Sequence, residues 1–268
     1  MESINKFILE FLRKIDKKPL QKFFENLHSF SLHGMGYGEC EIEVDGEREI
    51  LKKLNRENKK GKKLIIFDVG ANKGDYSLEC VKFVKNSEIY AFEPSKKAFE
   101  IFKKNLKNTK VQSYNFGFGE KEKEGTLFYD DEGTALASLY NRKLDYRKIY
   151  FTKKKKIKIK TIDSFCKENS IDKIDLLKID VEGNELNVLK GAKKMIKDKK
   201  IKKIQFEFGG CNIDSKVFLK DFWYLLHKDY NFYRIIGKGG LKYIEKYTES
   251  MEIFTIMNYF LKLKQNNL

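Results

Sequence analysis

Residues 64–77 read Leu-Ile-Ile-Phe-Asp-Val-Gly-Ala-Asn-Lys-Gly-Asp-Tyr-Ser, and this stretch decides the fold. Its first six residues form a short apolar run, the pattern of a strand buried on both faces. A turn-forming loop follows, and residues 76–84 carry a helical pattern. A strand, a glycine loop and a helix in that order usually cradle a nucleotide, so the loop is tested against nucleotide templates. A P-loop needs Gly-Lys-Ser/Thr opening the helix, and here Lys73 precedes Gly74. A dinucleotide fingerprint aligned on Gly70 needs glycine at positions 72 and 75, where this chain has Asn72 and Asp75. A third spacing fits: an acid, Asp68, followed by small or turn-forming residues at every second position, Gly70, Asn72 and Gly74. Glycine, and asparagine better than most residues, tolerates positive φ.

A carboxylate at Asp68 suits a cationic or amine-bearing ligand, and the amides that open the next helix suit a single carboxylate. The next strand, residues 89–92, ends in Ala91-Phe92-Glu93-Pro94. Glu93 stands 23 residues beyond Gly70, close to the distance that one helix and one strand require. An acid at that strand tip accepts hydrogen bonds from both hydroxyls of a ribose. An amino-acid end beside a nucleoside describes S-adenosylmethionine.

Outward from this unit the alternation continues. The pattern predicts helices over 96–106, 185–196 and 217–227, and strands over 111–114, 174–179 and 201–208. Shorter strands are expected at 126–129 and 157–162. Two closing strands, 232–236 and 251–259, are joined by a segment containing Gly-Lys-Gly-Gly. The expectation is an α/β, Rossmann-like fold: a mostly parallel seven-stranded sheet with an antiparallel edge strand and helices on both faces. Upstream, Ile4, Phe7, Ile8, Phe11, Leu12 and Ile15 repeat at helical spacing. Pro19 interrupts, and Leu20, Phe23, Phe24, Leu27 and Phe30 continue a second helix. Residues 31–38, Ser-Leu-His-Gly-Met-Gly-Tyr-Gly, read as a glycine-rich loop, and 40–44 as a short strand. Residues 1–60 are therefore expected to form a helical extension and lid, with 61–268 as the catalytic domain. A homodimer interface on the apolar helical faces is the alternative use of that extension.

Composition narrows the classes. With 41% hydrophobic and 14% aromatic residues in 268, the chain can bury a core, which excludes global disorder. The longest uncharged stretch, residues 26–38, is too short and too polar to span a bilayer. No secretory signal is readable and the four cysteines are widely spaced, so a cytoplasmic protein with reduced thiols is expected. The net charge of +16 invites a nucleic-acid reading, yet only six of the 55 basic residues are arginine. Arginine is the better residue for bidentate phosphate and base contacts. The lysines also cluster in three separated places, 52–63, 153–160 and 190–203, so no nucleic-acid partner is expected.

The sequence resembles the FkbM family of S-adenosylmethionine-dependent methyltransferases. The matching words are FDVGANKGDYS (67–77), AFEPS (91–95), NFGFGEKEKEGTLF (115–128), TIDSF (161–165) and LLKIDVEGNELNVLKGA (176–192). A weaker echo lies upstream in HGMGYG (33–38) and DGE (45–47). The resemblance implies a class I methyltransferase fold, S-adenosylmethionine as cofactor, and O-methylation of a hydroxyl on a sugar or polyketide-type product. Such enzymes serve surface-glycan or natural-product pathways, so a small-molecule or glycan acceptor is expected. It further implies that Ala71, Tyr76, Ser77, Asn115 and Phe116 belong to the cofactor site with Asp68, Gly70, Asn72, Gly74, Glu93 and Asp180.

Methyl transfer from a sulfonium is an in-line displacement, and an alcohol must lose its proton to attack. Asp180, Glu182 and Glu185 follow the fourth core strand, and Glu207 ends the fifth. Asp180 is read as binding the methionine end or the acceptor, and Glu182 and Glu207 as candidate bases. Glu185 is read as a helix N-terminal acid favoured by the macrodipole. Lys178 alternates with Asp180 along the strand and should pair with a nearby acid. His33 is a further candidate base, in the presumed lid; His28 and His227 lie on apolar helical patterns and are read as structural. Asp180 and Glu207 with water would make a hard-cation arrangement, but no dense acidic cluster demands one, so no metal is expected. Two other functions compete. An RNA ribose methyltransferase would draw on the basic charge, and a non-catalytic nucleoside-binding protein would keep the pocket without the chemistry. The intact set Asp68, Gly70, Gly74, Glu93 and Asp180 speaks against decay.

Overall fold

A computed structural model describes residues 10, 12–14, 17–38 and 46–265 of the chain. Its first strands are β1 (Leu64–Val69), β2 (Ser87–Phe92), β3 (Gln112–Tyr114), β4 (Gly117–Phe118), β5 (Lys123–Tyr129), β6 (Lys143–Leu144) and β7 (Ile149–Tyr150). They are followed by β8 (Lys153–Lys160), β9 (Leu176–Ile179), β10 (Lys203–Phe208), β11 (Tyr230–Ile236), β12 (Gly240–Ile244) and β13 (Met257–Leu263). The central sheet has eight strands in the order β12-β11-β13-β10-β9-β1-β2-β3. From β3 to β10 all neighbours run parallel. Beyond β10, β13 is antiparallel to both β10 and β11, and β12 is antiparallel to β11.

Alternate residues of β1 serve opposite faces of the sheet. Leu64 and Ile66 join Ile50, Leu51, Leu54 and Cys80 on one side; Phe67 and Val69 join Phe92, Ile179 and Phe206 on the other. Burial on both faces explains why β1 and β9 are apolar but for one buried charged residue each, Asp68 and Lys178. Cys80, Cys166 and Cys211 are buried free thiols. No helix among the described residues is long and apolar enough to cross a membrane.

The sheet has one strand more than the expected seven. The extra one is β12, in the stretch read as a connector. Gly237–Gly239 forms a tight turn in which Lys238 (φ 61) and Gly239 (φ 71) take the left-handed conformation. That turn folds the next five residues back onto β11. The last strand lies later than its apolar pattern predicts, because Glu249–Met251 is a turn of 3-10 helix and Ile253 and Phe254 pack on the core without joining the sheet. The expected helix 185–196 is two short ones, Glu185–Lys190 and Lys193–Lys197, broken at Gly191–Ala192.

Near the N-terminus, helix Gln21–Gly34 runs through the first half of the segment read as a loop, and residues 35–38 form a turn. The expected strand at 40–44 and most of the helical pattern at 4–15 lie outside the described residues. The helix Glu47–Glu57, hidden from a sequence reading by its lysines, buries Ile50, Leu51 and Leu54 along one stripe. Each such side chain contributes about 1.5–3 kcal/mol by its burial.

Between β5 and β8 the chain makes an excursion over residues 130–152. It carries the β6–β7 hairpin and a 3-10 turn at Asp145–Arg147. Strands β4, β8 and β5 form a separate three-stranded sheet beneath it.

Candidate active site

Strand order reverses at β1, whose neighbours are β2 on one side and β9 on the other. A crevice opens above the carboxyl ends at such a switch point. Here it holds a cavity of about 390 Å³ whose walls include Gly70, Asn72, Glu93, Asp180, Glu182 and Glu207. Apolar lining comes from Phe92, Pro94, Phe118, Leu127, Leu136 and Ile157.

The loop after β1 has the conformation its residues predict: Gly70, Asn72 and Gly74 all take positive φ, at 89°, 45° and 98°. Close packing is a second reason for the glycines. A Cβ on Gly70 would stand 1.7 Å from the backbone oxygen of Asp180, so the close approach it permits is between two strand tips. A Cβ on Gly74 would stand 2.2 Å from Leu106 Cδ1 and 2.9 Å from Phe102, so this glycine seats the helix Asp75–Phe83 against its neighbour. Both glycines shape the cradle, and of the two only Gly70 lines it.

Glu93 lines the cavity while almost fully buried. Its Oε2 accepts from the Asn72 amide at 2.9 Å and its Oε1 from the Ser95 amide at 2.6 Å. Each oxygen keeps a lone pair for a further donor. Burial pushes its carboxyl up to about 7, against the pull of those two amides. Asn115 lies behind it, donating from Nδ2 to the backbone oxygens of Glu93 (2.8 Å) and Pro94 (3.2 Å).

Seven of the eleven residues assigned to the cofactor stand outside the lining, Gly74 and Asn115 among them. Asp68 is buried under the loop, accepting the Ser77 hydroxyl at 2.6 Å, and burial raises its carboxyl to about 6. Asp68 and Ser77 thus tie the strand tip to the following helix. Tyr76 is buried beside Lys178, whose ammonium lies 5.4 Å from its ring centroid. Ala71 is buried too, its amide donating to the Phe92 oxygen at 3.0 Å. Phe116 turns inward, packing on Phe92, Phe118 and Phe165.

The fold assembles an acidic cluster that the sequence does not display. Asp180, Glu182 and Glu207 each present a carboxylate oxygen, all within 4.8 Å of one another. Glu182 has positive φ (53°), pairs with Arg142, and receives the Ser138 hydroxyl on its backbone oxygen at 2.7 Å. Burial and the Asp180 charge push Glu182 up to about 8 despite Arg142. Glu207 has no hydrogen-bond or ion-pair partner among the described residues, and burial with Asp180 and Glu182 beside it lifts its carboxyl well above the usual range. Lys178 lies buried beneath, 2.8 Å from Glu47 and 3.3 Å from Asp180. Burial opposes its charge, but those acids override it and raise its pKa. Glu185 opens its helix as read, and its Oε1 also accepts the amides of Val181 (3.1 Å) and Gly183 (2.9 Å), fixing the acidic loop. Three oxygens so close also offer a hard cation its preferred ligands.

The described cover of this cavity comes from a segment other than the expected lid. Among the described residues none before Val69 lines it; Thr134, Ala135, Leu136, Ala137, Leu139 and Arg147 do. The 35–38 turn lines none of it but bonds to a residue that does: the Gly38 amide donates to the backbone oxygen of Ile256 at 2.8 Å, and Tyr37 is buried under Arg234. His33 sits exposed in the last turn of its helix, its Nδ1 bonded to the Ser29 oxygen at 2.8 Å, and it does not reach the cavity. The sequence reading also missed Glu47, Ser138 and Arg142. The signal for Arg142 was its rarity, as one of six arginines in a lysine-rich chain.

The residues present fit S-adenosylmethionine. A buried carboxylate with free lone pairs stands at the tip of β2, apolar walls flank it, and the Gly70–Asn72 loop lies alongside.

Comparison with known proteins agrees. The Methyltransferase FkbM domain matches residues 68–233. "Methyltransferase 1" of Beauveria bassiana is 27% identical over 142 residues, 47% of this chain and 57% of that protein. "Hexuronic acid methyltransferase AglP" of Haloferax volcanii is 24% identical over 151 residues, 56% of this chain and 57% of that one. "2-O-methyltransferase NoeI" of Sinorhizobium fredii is 22% identical over 142 residues, 49% and 58% of the two chains. The match thus spans little more than half the length of these relatives. With the family's domain covering most of its length, the chain belongs to the FkbM methyltransferase family.

Proposed function

We propose that this protein methylates a hydroxyl of a sugar or sugar-derived acceptor, using S-adenosylmethionine, in the assembly of a surface glycan or natural product. The observation that carries the reading is one shared cavity: Glu93 at one end, and Asp180, Glu182 and Glu207 at the other. When bound, the cofactor supplies an electrophilic methyl group on a sulfonium. Glu93 would hold the ribose hydroxyls, and the Gly70–Asn72 loop the methionine end. Burial and the crowding of like charges make Glu182 and Glu207 hold their protons to higher pH than ordinary carboxylates, the added basicity a general base needs. Glu207, which has no partner among the described residues, would take the acceptor's hydroxyl proton and so ready that oxygen to receive the methyl group. Arg142 and Lys178 hold Glu182 and Asp180 in place. The sugar acceptor draws support from AglP and NoeI, whose names describe a hexuronic acid methyltransferase and a 2-O-methyltransferase.

The test is transfer of isotopic methyl from S-adenosylmethionine to a panel of glycosides, with Glu207→Gln alongside. Turnover by the wild type and a roughly 10²–10⁴-fold lower kcat in the variant, with product affinity kept, are expected. Methyl transfer to RNA in place of sugars would redirect the assignment. Turnover should survive exhaustive chelation; loss restored by Mg²⁺ would reassign the three carboxylates to a cation.

A further inference from the structure

We infer that the acceptor carries an anionic group, a carboxylate or a phosphate, which Arg147 binds at the mouth of the cavity. The inference rests on the proposed sugar acceptor and narrows its class. Arg147 lines the cavity, is exposed, and has no hydrogen bond, ion pair or ring contact among the described residues. Arg142, five residues earlier on the same excursion, is already committed to Glu182 and Asp214. The other charged residues lining the cavity are Glu93, Asp180, Glu182 and Glu207, all acids. Arg147 is therefore the one cation among the described residues of the lining, set against its acids.

That separation of charge gives an acceptor a direction. An anionic substituent is repelled by the three floor carboxylates and drawn to the guanidinium, whose planar fork matches a carboxylate or phosphate. The hydroxyl to be methylated then points down toward Glu207. Lys155 adds to the same field. It faces Leu127 across the β5–β8 pair, so it lies on the sheet face that Leu127 and Ile157 present to the cavity, and it too has no partner among the described residues. Tyr146 and Tyr150, on either side of Arg147 in the chain, are largely exposed.

The probes are methyl galactoside, its galacturonate, and galactose 1-phosphate, titrated into the protein saturated with S-adenosylhomocysteine, which also reports that each variant is folded. The wild type should bind at least one of the two anionic sugars roughly 10- to 100-fold more tightly than the neutral one, as a charge-assisted bond provides. Whether the galacturonate or the phosphate leads identifies the source of the charge. Arg147→Ala should collapse the anionic-to-neutral ratio toward one, and Arg147→Glu should invert it. Equal binding of charged and neutral sugars by the wild type, or a ratio unmoved by either variant, would overturn the inference. Preferential binding without any methyl transfer would uphold the anion site and defeat the proposed activity, so the two failures are distinguishable.

Discussion

Gly70 and Glu93 show how single residues set this site. At φ 89°, with a virtual Cβ 1.7 Å from a backbone oxygen, Gly70 joins the tips of β1 and β9. Gly70→Ala must move one of two backbones, since neither contact is the end of a flexible side chain. We expect a loss of about 3 kcal/mol in unfolding free energy by denaturant titration, with loss of S-adenosylhomocysteine binding. A variant that melts and binds like wild type would show that the strand tips can part freely. Glu93 brings a pH dependence. Its carboxyl, lifted to about 7 by burial, must be ionised to accept two ribose hydroxyls. Affinity for the cofactor product should therefore fall by roughly tenfold as pH drops from 8 to 6, each pH unit below the pKa costing about 1.4 kcal/mol. Calorimetry at the two pH values checks it, and a flat profile would remove Glu93 from the ribose.

At the scale of elements, the helix Glu47–Glu57 does more than cover the sheet. Its Glu47 is buried against Lys178 and also accepts from Gln205, so it neutralises a lysine locked inside the fold directly below Asp180. Glu47→Ala leaves that ammonium with Asp180 as its carboxylate partner, and breaking a buried pair from one side costs about 3–5 kcal/mol. We expect a marked fall in Tm, with partial recovery in the double variant Glu47→Ala/Lys178→Met, which removes the stranded charge. Absence of that recovery would mean the helix contributes by apolar packing alone. The excursion over 130–152 plays the complementary part from above: Ser138 and Arg142 reach down to the acidic loop, and Leu136 and Arg147 close the cavity.

For the whole molecule, the crowding of carboxylates sets function against stability. Glu207 has a folded pKa well above its unfolded value, so its contribution is stabilising at low pH and is lost as pH rises through the folded pKa. Glu182, at about 8, follows the same sign. Glu207→Gln cannot ionise and escapes that loss. The variant should melt higher than wild type at pH 8, by a margin that shrinks as pH falls toward 4. The same substitution is expected to disable turnover. A wild type more stable than the variant at pH 8 would mean that the Glu207 charge is compensated by something other than its neighbours.

The division between sequence and structure follows from the range of the forces involved. The glycine loop, Glu93 at its strand tip and the parallel core were legible because each is written locally. Two-sided burial makes an apolar run, positive φ selects glycine or asparagine, and the helix–strand spacing places Glu93. Strand β12 and the late start of β13 were not legible, because a short turn and an apolar segment buried off the sheet look the same in one dimension. Which acids meet was also hidden: Glu182 and Glu207 are 25 residues apart in the chain and share a cluster only because β9 and β10 pair. The same holds for the cover. The sequence by itself determined the fold class and the cofactor cradle, where contacts lie within one β–α–β unit. Only the tertiary structure decided that the cavity is lined from residues 134–147, that His33 is not in that lining, and that Arg147 is. Those outcomes rest on long-range packing and on burial that brings distant charges together, and neither leaves a periodic mark in the chain.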